Sequence, residues 1–132
     1  MSAMKKVLMI TVALLSALAL SGQERQDMSA TWDRANTHYR NANYEAAIAA
    51  YDSIYAAGYE SDRLYYNMGN TYFKLGNTGK SVLFYNKALL LAPGDEDIKF
   101  NLGVANSYVK DKIEPVPEFF LTTWIKSLRS LF

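Results

Sequence analysis

The feature of this sequence that most limits its fold is an internal repeat of 34 residues. Residues 28–61 and 62–95 align without a gap. Four pairs are identical: Asn36 with Asn70, Thr37 with Thr71, Asn43 with Asn77, and Tyr51 with Tyr85. Six pairs are conservative: Trp32 with Tyr66, Ala35 with Gly69, Tyr39 with Phe73, Arg40 with Lys74, Ala47 with Ser81, and Ile48 with Val82. A second shift places Phe100–Gly103 on Tyr66–Gly69, so half of a third copy follows.

The residue types within one copy explain this period. Small residues at Gly69 and Ala88 permit two helices to approach closely, while Tyr72 and Tyr85 fill the spaces between helices. Gly76 suits the left-handed turn that ends a first helix. Two apolar-periodic segments within 34 residues are typical of the tetratricopeptide repeat, a helix-turn-helix unit.

The sequence therefore predicts an all-α tetratricopeptide (TPR) solenoid with about two and a half repeats. The solenoid is expected at residues 23–110, with repeats at 28–61 and 62–95 and a half repeat at 96–110. The expected helices span residues 28–41, 44–57, 62–75, 78–92 and 95–110.

The first copy departs from the repeat pattern at two positions. Ala42 replaces the turn glycine, and Asn41 and Asn43 are expected to supply the turn chemistry. Tyr59 replaces Pro93, which stops the second helix of the next copy. The turn of the first copy is nevertheless expected to form.

The N-terminal residues have the pattern of a secretory signal. Lys5 and Lys6 precede an apolar run at Val7–Leu20, and the small residues Ala19 and Ser21 follow the cleavage rule. This run of 14 residues is shorter than the roughly 20 needed to span a bilayer, which favours a cleaved signal over an anchor or a buried helix. We therefore predict a signal peptide at residues 1–22 and an exported chain.

The C-terminal residues follow a different pattern from the repeats. A proline-containing linker is expected at 111–117, and an amphipathic helix at 118–132. This helix either covers the last repeat helix as a cap or lies in a membrane interface, and the residues alone leave both open. The interface alternative would place these residues at the membrane: Trp124, Ile125, Lys126, Leu128, Arg129 and Phe132.

Three segments together resemble the BatE family of aerotolerance operons: GYESDRLYYNMGNTYFKLGN, APGDEDIKFNLGVA and DKIEPVPEFF. The resemblance covers nearly the whole chain. It implies a periplasmic scaffold, associated with the inner membrane, that works with von Willebrand factor A-domain envelope proteins and a MoxR-type ATPase. Members usually continue beyond the Pro-x-Pro segment into membrane-spanning helices, so the resemblance favours the membrane-proximal interpretation of residues 118–132.

Catalytic chemistry is not expected from these residues. The only histidine, His38, lies within a predicted helix, and with no cysteine in the chain it cannot build a typical zinc site. Glu96 and Asp97 begin a predicted helix, where the helix dipole favours carboxylates. The sequence therefore predicts neither an enzyme nor a cofactor or metal, and its formal net charge of +1 does not favour nucleic acid.

The first helix of each repeat is expected to line a partner-binding groove. Asn36 and Asn70 would pin a ligand backbone, because an amide offers a donor and an acceptor. Arg40 and Lys74 would meet a carboxylate. Four aromatic side chains would supply apolar contact area: Trp32, Tyr39, Tyr66 and Phe73.

Two alternatives limit this assignment of the groove. Tyr39 and Phe73 are interpreted more readily as packing between repeats than as ligand contacts. The C-terminal carboxylate clamp of chaperone cofactors is not expected, because Trp32 and Tyr66 occupy the place of its first lysine and Asp97 that of a third-repeat cation.

The sequence thus predicts a non-enzymatic adaptor or scaffold of the cell envelope that binds a peptide or helix of another protein. The alternative is a structural envelope protein that assembles with itself through the groove or the C-terminal helix.

Overall fold

The computed structural model describes residues 1–112 and 126–127 of this chain. The described residues form five α-helices and no strand. The helices are α1 (Ala3–Arg40), α2 (Tyr44–Ala56), α3 (Asp62–Lys74), α4 (Thr78–Leu91) and α5 (Glu96–Lys112). Successive helices pack against one another, so the predicted all-α tetratricopeptide solenoid is confirmed.

The second to fifth helices lie where the sequence predicts them, to within about two residues, which is the usual uncertainty of a helix end. The first helix does not, because α1 starts at Ala3 rather than at residue 28. It contains no proline, and Gly22 is its only glycine, so nothing interrupts it before the turn after Arg40. The repeat pattern located the part of α1 that packs but not its beginning.

The N-terminal part of α1 makes no contact that buries it. Its residues up to Asp27 are exposed, and Met28 is the first that packs against the core. Within the described residues, α1 is the one helix long and apolar enough to cross a membrane. A signal sequence and an anchor both have this character, and cleavage near residue 22 remains a prediction.

The two repeats make their internal turns with the same backbone geometry. The N–H of Asn77 donates to the carbonyl oxygen of Tyr72 at 2.9 Å, and the N–H of Asn43 donates to that of His38 at 2.9 Å. Gly76 has a φ of +76°, and Ala42 adopts +58° at the equivalent position. The turn therefore forms with alanine in a left-handed conformation.

The side-chain help expected from Asn41 and Asn43 is not seen at the first turn, whereas Asn77, the equivalent of Asn43, provides such a bond at the second. The side chain of Asn77 accepts a hydrogen bond from the N–H of Lys80 at 3.2 Å, which satisfies a free donor at the start of α4. Asn43 makes no such bond at the start of α2. The side chain of Asn43 therefore does not stabilise the first turn as expected. The chain reverses there through the left-handed conformation of Ala42.

A close helix contact lies inside the second repeat, where α4 packs against α3. A Cβ atom placed on Gly69 would stand 2.6 Å from Cδ1 of Tyr85, whose ring is buried. The hydroxyl of Ser81 donates to the carbonyl oxygen of Gly69 at 2.9 Å, also in the interior. Gly69 is therefore required by packing, as the sequence predicted.

The last described helix shows where the repeat pattern changes. Gly103 lies one period after Gly69, but no atom of the described residues would come within 4 Å of a Cβ placed there. Lys99 and Asn106, which replace the buried Tyr65 and Tyr72, are exposed. The side of α5 at Lys99, Gly103 and Asn106 is thus polar, which suits the end of a solenoid, while Phe100 and Tyr108 of the same helix are also exposed.

The structure describes only a few of the residues covered by the C-terminal predictions. Asp111 and Lys112 belong to α5 rather than to the expected linker, and Lys126 and Ser127 are helical and exposed. The rest of the linker and amphipathic helix lies outside the described residues. So do five of the six predicted interface residues, namely Trp124, Ile125, Leu128, Arg129 and Phe132.

Two glycine substitutions test the difference between the repeats. Gly69→Ala is expected to lower the free energy of unfolding by about 1–3 kcal/mol, because the new methyl group overlaps the Tyr85 ring. Gly103→Ala is expected to raise it by about 1 kcal/mol, because alanine favours a helix and meets no described atom. Urea unfolding of both variants measures the difference, and a destabilised Gly103→Ala variant would contradict the open face of α5.

Candidate partner-binding groove

Three helices, α1, α3 and α5, are joined side by side through asparagine side chains. The Nδ2 of Asn67 on α3 donates to the Oδ1 of Asn36 on α1 at 3.3 Å. One period later, the Nδ2 of Asn101 on α5 donates to the Oδ1 of Asn70 on α3 at 3.1 Å. The first helices of successive repeats therefore meet through the same pair of amides.

Each asparagine oxygen also accepts a tyrosine hydroxyl from the second helix of its own repeat. The hydroxyl of Tyr51 donates to Asn36 at 2.5 Å, and that of Tyr85 donates to Asn70 at 2.5 Å. Both tyrosines are buried. Three helices thus meet at one oxygen atom, and the arrangement occurs once in each complete repeat.

Two cavities open along these joined helices, and we refer to them together as the groove. The first has a volume of about 220 Å³ and the second about 310 Å³. The first is lined by Trp32, Asn36, Tyr39, Arg40, Tyr51, Arg63 and Asn67. The second is lined by Tyr39, Tyr66, Asn70, Phe73, Lys74, Tyr85, Asn101 and Val104.

The two cavities are chemically equivalent under the 34-residue shift. Six residues of the first correspond to six of the second: Trp32 to Tyr66, Asn36 to Asn70, Tyr39 to Phe73, Arg40 to Lys74, Tyr51 to Tyr85, and Asn67 to Asn101. Each cavity therefore has two aromatic walls, a cation, two amides and a buried tyrosine.

All eight residues that the sequence assigned to the groove line these cavities. Arg40 and Lys74 are exposed, while Asn36 and Asn70 are half-buried. Tyr39 and Phe73 both pack against the core and line the second cavity. Packing and ligand contact are therefore not exclusive roles for these two rings.

The asparagines differ in one respect from the expectation. Their Oδ1 atoms are already engaged by the tyrosine hydroxyl and by the next repeat, so the acceptor is not free for a ligand. Their Nδ2 groups donate to no other described residue. Asn36 and Asn70 can therefore offer a ligand their N–H donors.

Sequence reasoning did not assign Asn67, Asn101 and Arg63 to the groove. The signal for the first two was present, because the third-copy alignment pairs Asn67 with Asn101. Arg63 had no such signal, since the residue one period later is Asp97.

Charge is distributed unevenly along the groove. The charged residues that line its two cavities are Arg40, Arg63 and Lys74, all cationic. A third cavity of about 360 Å³, next to the start of α3 and α5, shares Arg63 with the first cavity and adds the carboxylates of Asp62, Asp95 and Asp97. The groove therefore attracts anions more strongly than the adjoining cavity, where the carboxylates outnumber the one cation.

The cations of the groove are not neutralised within the described part of the chain. The single salt bridge found there joins Lys99 to Glu96. Arg40 donates to the hydroxyl of Thr37 at 3.1 Å, which is a bond to a neutral partner. No group of His, Cys, Asp or Glu suited to a metal ion occurs among the described residues.

Burial changes the acidity of the two tyrosines that hold the asparagines. It raises the pKa of Tyr51 and of Tyr85 from 10.0 to about 12, and neighbouring hydrogen-bond partners offset part of this increase. Both hydroxyls are consequently protonated donors throughout the physiological pH range, so the bonds to Asn36 and Asn70 do not depend on pH there.

Comparison with known families gives one match, at residues 63–95, to the family described as tetratricopeptide repeat. Residues 63–95 are a tetratricopeptide repeat. The match covers most of the second repeat, including five residues that line the second cavity: Tyr66, Asn70, Phe73, Lys74 and Tyr85. A comparison with curated proteins finds no match. Tetratricopeptide proteins are generally non-enzymatic scaffolds that bind other proteins, so the groove belongs to a protein-interaction fold.

The tyrosine–asparagine bond can be tested by a double-mutant cycle. Asn70→Ala is expected to lower the free energy of unfolding by about 1–3 kcal/mol, because the buried Tyr85 hydroxyl loses its acceptor. The cost should be smaller in a Tyr85→Phe background, where no hydroxyl is left unpaired. Urea unfolding measures the cycle, with exposed Asn86→Ala as the control. Additive effects at the two positions would contradict the coupling.

Alkaline pH provides a second test. Because the folded pKa of about 12 exceeds the unfolded value of 10.0, the unfolded state releases protons that the folded state retains. The contribution of these tyrosines to stability is thus complete below about pH 10 and is lost as the pH rises toward 12. In the folded protein, Tyr51→Phe/Tyr85→Phe should remove the last phase of tyrosinate absorbance. An unchanged last phase would contradict these assignments.

Proposed function

We propose that this chain is a non-enzymatic adaptor of the cell envelope whose groove binds a segment of a partner protein. The observation that carries the proposal is the repetition of one set of six lining residues in two neighbouring cavities. Packing alone does not account for this repetition, since it includes the exposed cations Arg40 and Lys74. A repeated set of ligand-binding groups suits a linear partner segment that crosses both repeats.

The proposed location depends on the chain ends. An apolar run within the N-terminal helix, preceded by two lysines, supports export to the periplasm. The amphipathic pattern of residues 118–132 supports association with the inner membrane. The resemblance to BatE proteins supports von Willebrand factor A-domain envelope proteins as partners, within an aerotolerance-type complex.

Charge reversal in the groove tests the proposed binding. Arg40→Glu/Lys74→Glu is expected to weaken binding to the soluble domain of a von Willebrand factor A-domain envelope protein by about tenfold or more. Both side chains are exposed, so the thermal melting temperature should change little. Titration calorimetry with the full chain in detergent measures the affinity.

A matched control separates the groove from overall charge. Arg34 donates to the hydroxyl of Thr31 at 3.2 Å, as Arg40 does to Thr37, but lines neither cavity of the groove. Lys110 is likewise exposed and outside these cavities. Arg34→Glu/Lys110→Glu should therefore retain binding. Equal losses in the two double variants would reject the groove as the binding surface.

A further inference from the structure

We infer that the groove selects an extended acidic segment in the polyproline II conformation, with two carboxylates three residues apart. This inference rests on the proposed function and specifies the chemistry of the partner segment. It follows from three properties of the groove: the sign of its charges, the spacing of its repeated cations, and the hydrogen-bond donors that remain available.

The sign of the charges favours an acidic segment. Each cavity has a cation at the equivalent position, Arg40 in the first and Lys74 in the second, and neither belongs to a salt bridge of the described residues. Arg63 adds a second cation to the first cavity. One carboxylate in each cavity would neutralise these charges, while the Asp62 and Asp97 side chains disfavour a carboxylate in the adjoining cavity.

The spacing of the cations favours the polyproline II conformation. Arg40 and Lys74 occupy equivalent positions on α1 and α3, which are joined by the bond between Asn36 and Asn67. Neighbouring helix axes lie about 8–10 Å apart, and we take this general interval as the separation of equivalent positions on α1 and α3. Residues i and i+3 of a polyproline II helix lie on one edge, about 9 Å apart. On one face of a β-strand, residues i and i+2 lie about 7 Å apart, and residues i and i+4 about 13 Å apart. Neither distance matches the separation of the two cations as well as the polyproline II spacing does.

The free donors favour an extended segment over an α-helix. An α-helix with acidic residues at i and i+7 would also span about 10 Å. Its carbonyl groups, however, are bonded within the helix, whereas those of polyproline II are free. The Oδ1 atoms of Asn36 and Asn70 are engaged, and their Nδ2 groups have no acceptor among the described residues. Free carbonyl groups of an extended segment supply that acceptor.

The aromatic side chains that line the two cavities also suit a polyproline II segment. Trp32 and Tyr39 line the first cavity, and Tyr66 and Phe73 line the second. Proline-rich segments bind in grooves with aromatic walls, because their preformed conformation loses little entropy on binding. A segment with prolines between its two acidic residues therefore satisfies the charges, the donors and the walls together.

A set of proline-rich peptides of equal length tests the inference. Each labelled peptide contains two glutamates separated by two, three or four positions, and a further peptide carries glutamines at the three-residue spacing. Fluorescence anisotropy with the full chain measures binding. The peptide with glutamates at i and i+3 should bind about threefold to tenfold more tightly than the others. Arg40→Glu/Lys74→Glu should remove this preference, and Arg34→Glu/Lys110→Glu should retain it.

The possible failures are distinguishable. Equal affinity for all spacings, or for the glutamine peptide, would overturn the acidic three-residue rule. An alanine-rich helical peptide with glutamates at i and i+7 that binds more tightly would overturn the extended conformation. If no peptide binds but the von Willebrand factor A-type domain does, the inference fails and the proposed function stands. If neither binds, both fail.

A second copy of the chain is the remaining occupant to exclude. Its own residues Asp111 and Glu114 are three positions apart, beside Pro115. Analytical ultracentrifugation of the full chain over a range of concentrations tests this occupant. A monomer at every concentration agrees with a separate partner. Self-association that Arg40→Glu/Lys74→Glu abolishes would reassign the groove to a second copy and overturn the partner assignment.

Discussion

Two buried tyrosine hydroxyls determine the relative positions of the helices in this solenoid. Each donates to an asparagine oxygen on the first helix of its own repeat, and that oxygen also accepts an N–H from the next repeat. A single acceptor thus joins a helix pair internally and to its neighbour. Since an unpaired buried hydroxyl is costly, these bonds favour one arrangement of the helices over others with similar apolar contact.

The same bonds connect stability to the proposed binding surface. An asparagine amide that is free to rotate presents either its oxygen or its nitrogen to a ligand. Here the oxygen is held from the interior, so the nitrogen is directed outward at the same place in both repeats. The groove is therefore organised before a ligand arrives, which reduces the conformational entropy lost on binding. Its exposed cations add attraction without contributing to the core.

The sequence was sufficient for those features that recur with the repeat. The 34-residue period located α2 to α5 and the close helix approach at Gly69, because packing and periodicity impose the same pattern. The eight residues assigned to the groove line its two cavities, and their role in binding a partner stays a prediction. The sequence could not reveal that the side-chain oxygens of Asn36 and Asn70 already accept hydrogen bonds within the protein. These bonds depend on distances between side chains 15 and 31 positions apart. The repeat also could not give the start of α1. The residues that precede the first packed residue favour a helix as well, so the helix extends toward the N-terminus without help from packing.

The continuous helix α1 also determines a distance. Leu20, the end of the apolar run, and Asn36, the first amide of the groove, lie on the same uninterrupted helix. Sixteen residues of α-helix measure about 24 Å. In a chain that retains residues 1–22 in a bilayer, the groove would therefore be held at a fixed height and rotational setting above the lipid. Signal cleavage would remove this constraint. The domain that carries the groove would then diffuse and rotate freely before it meets a partner.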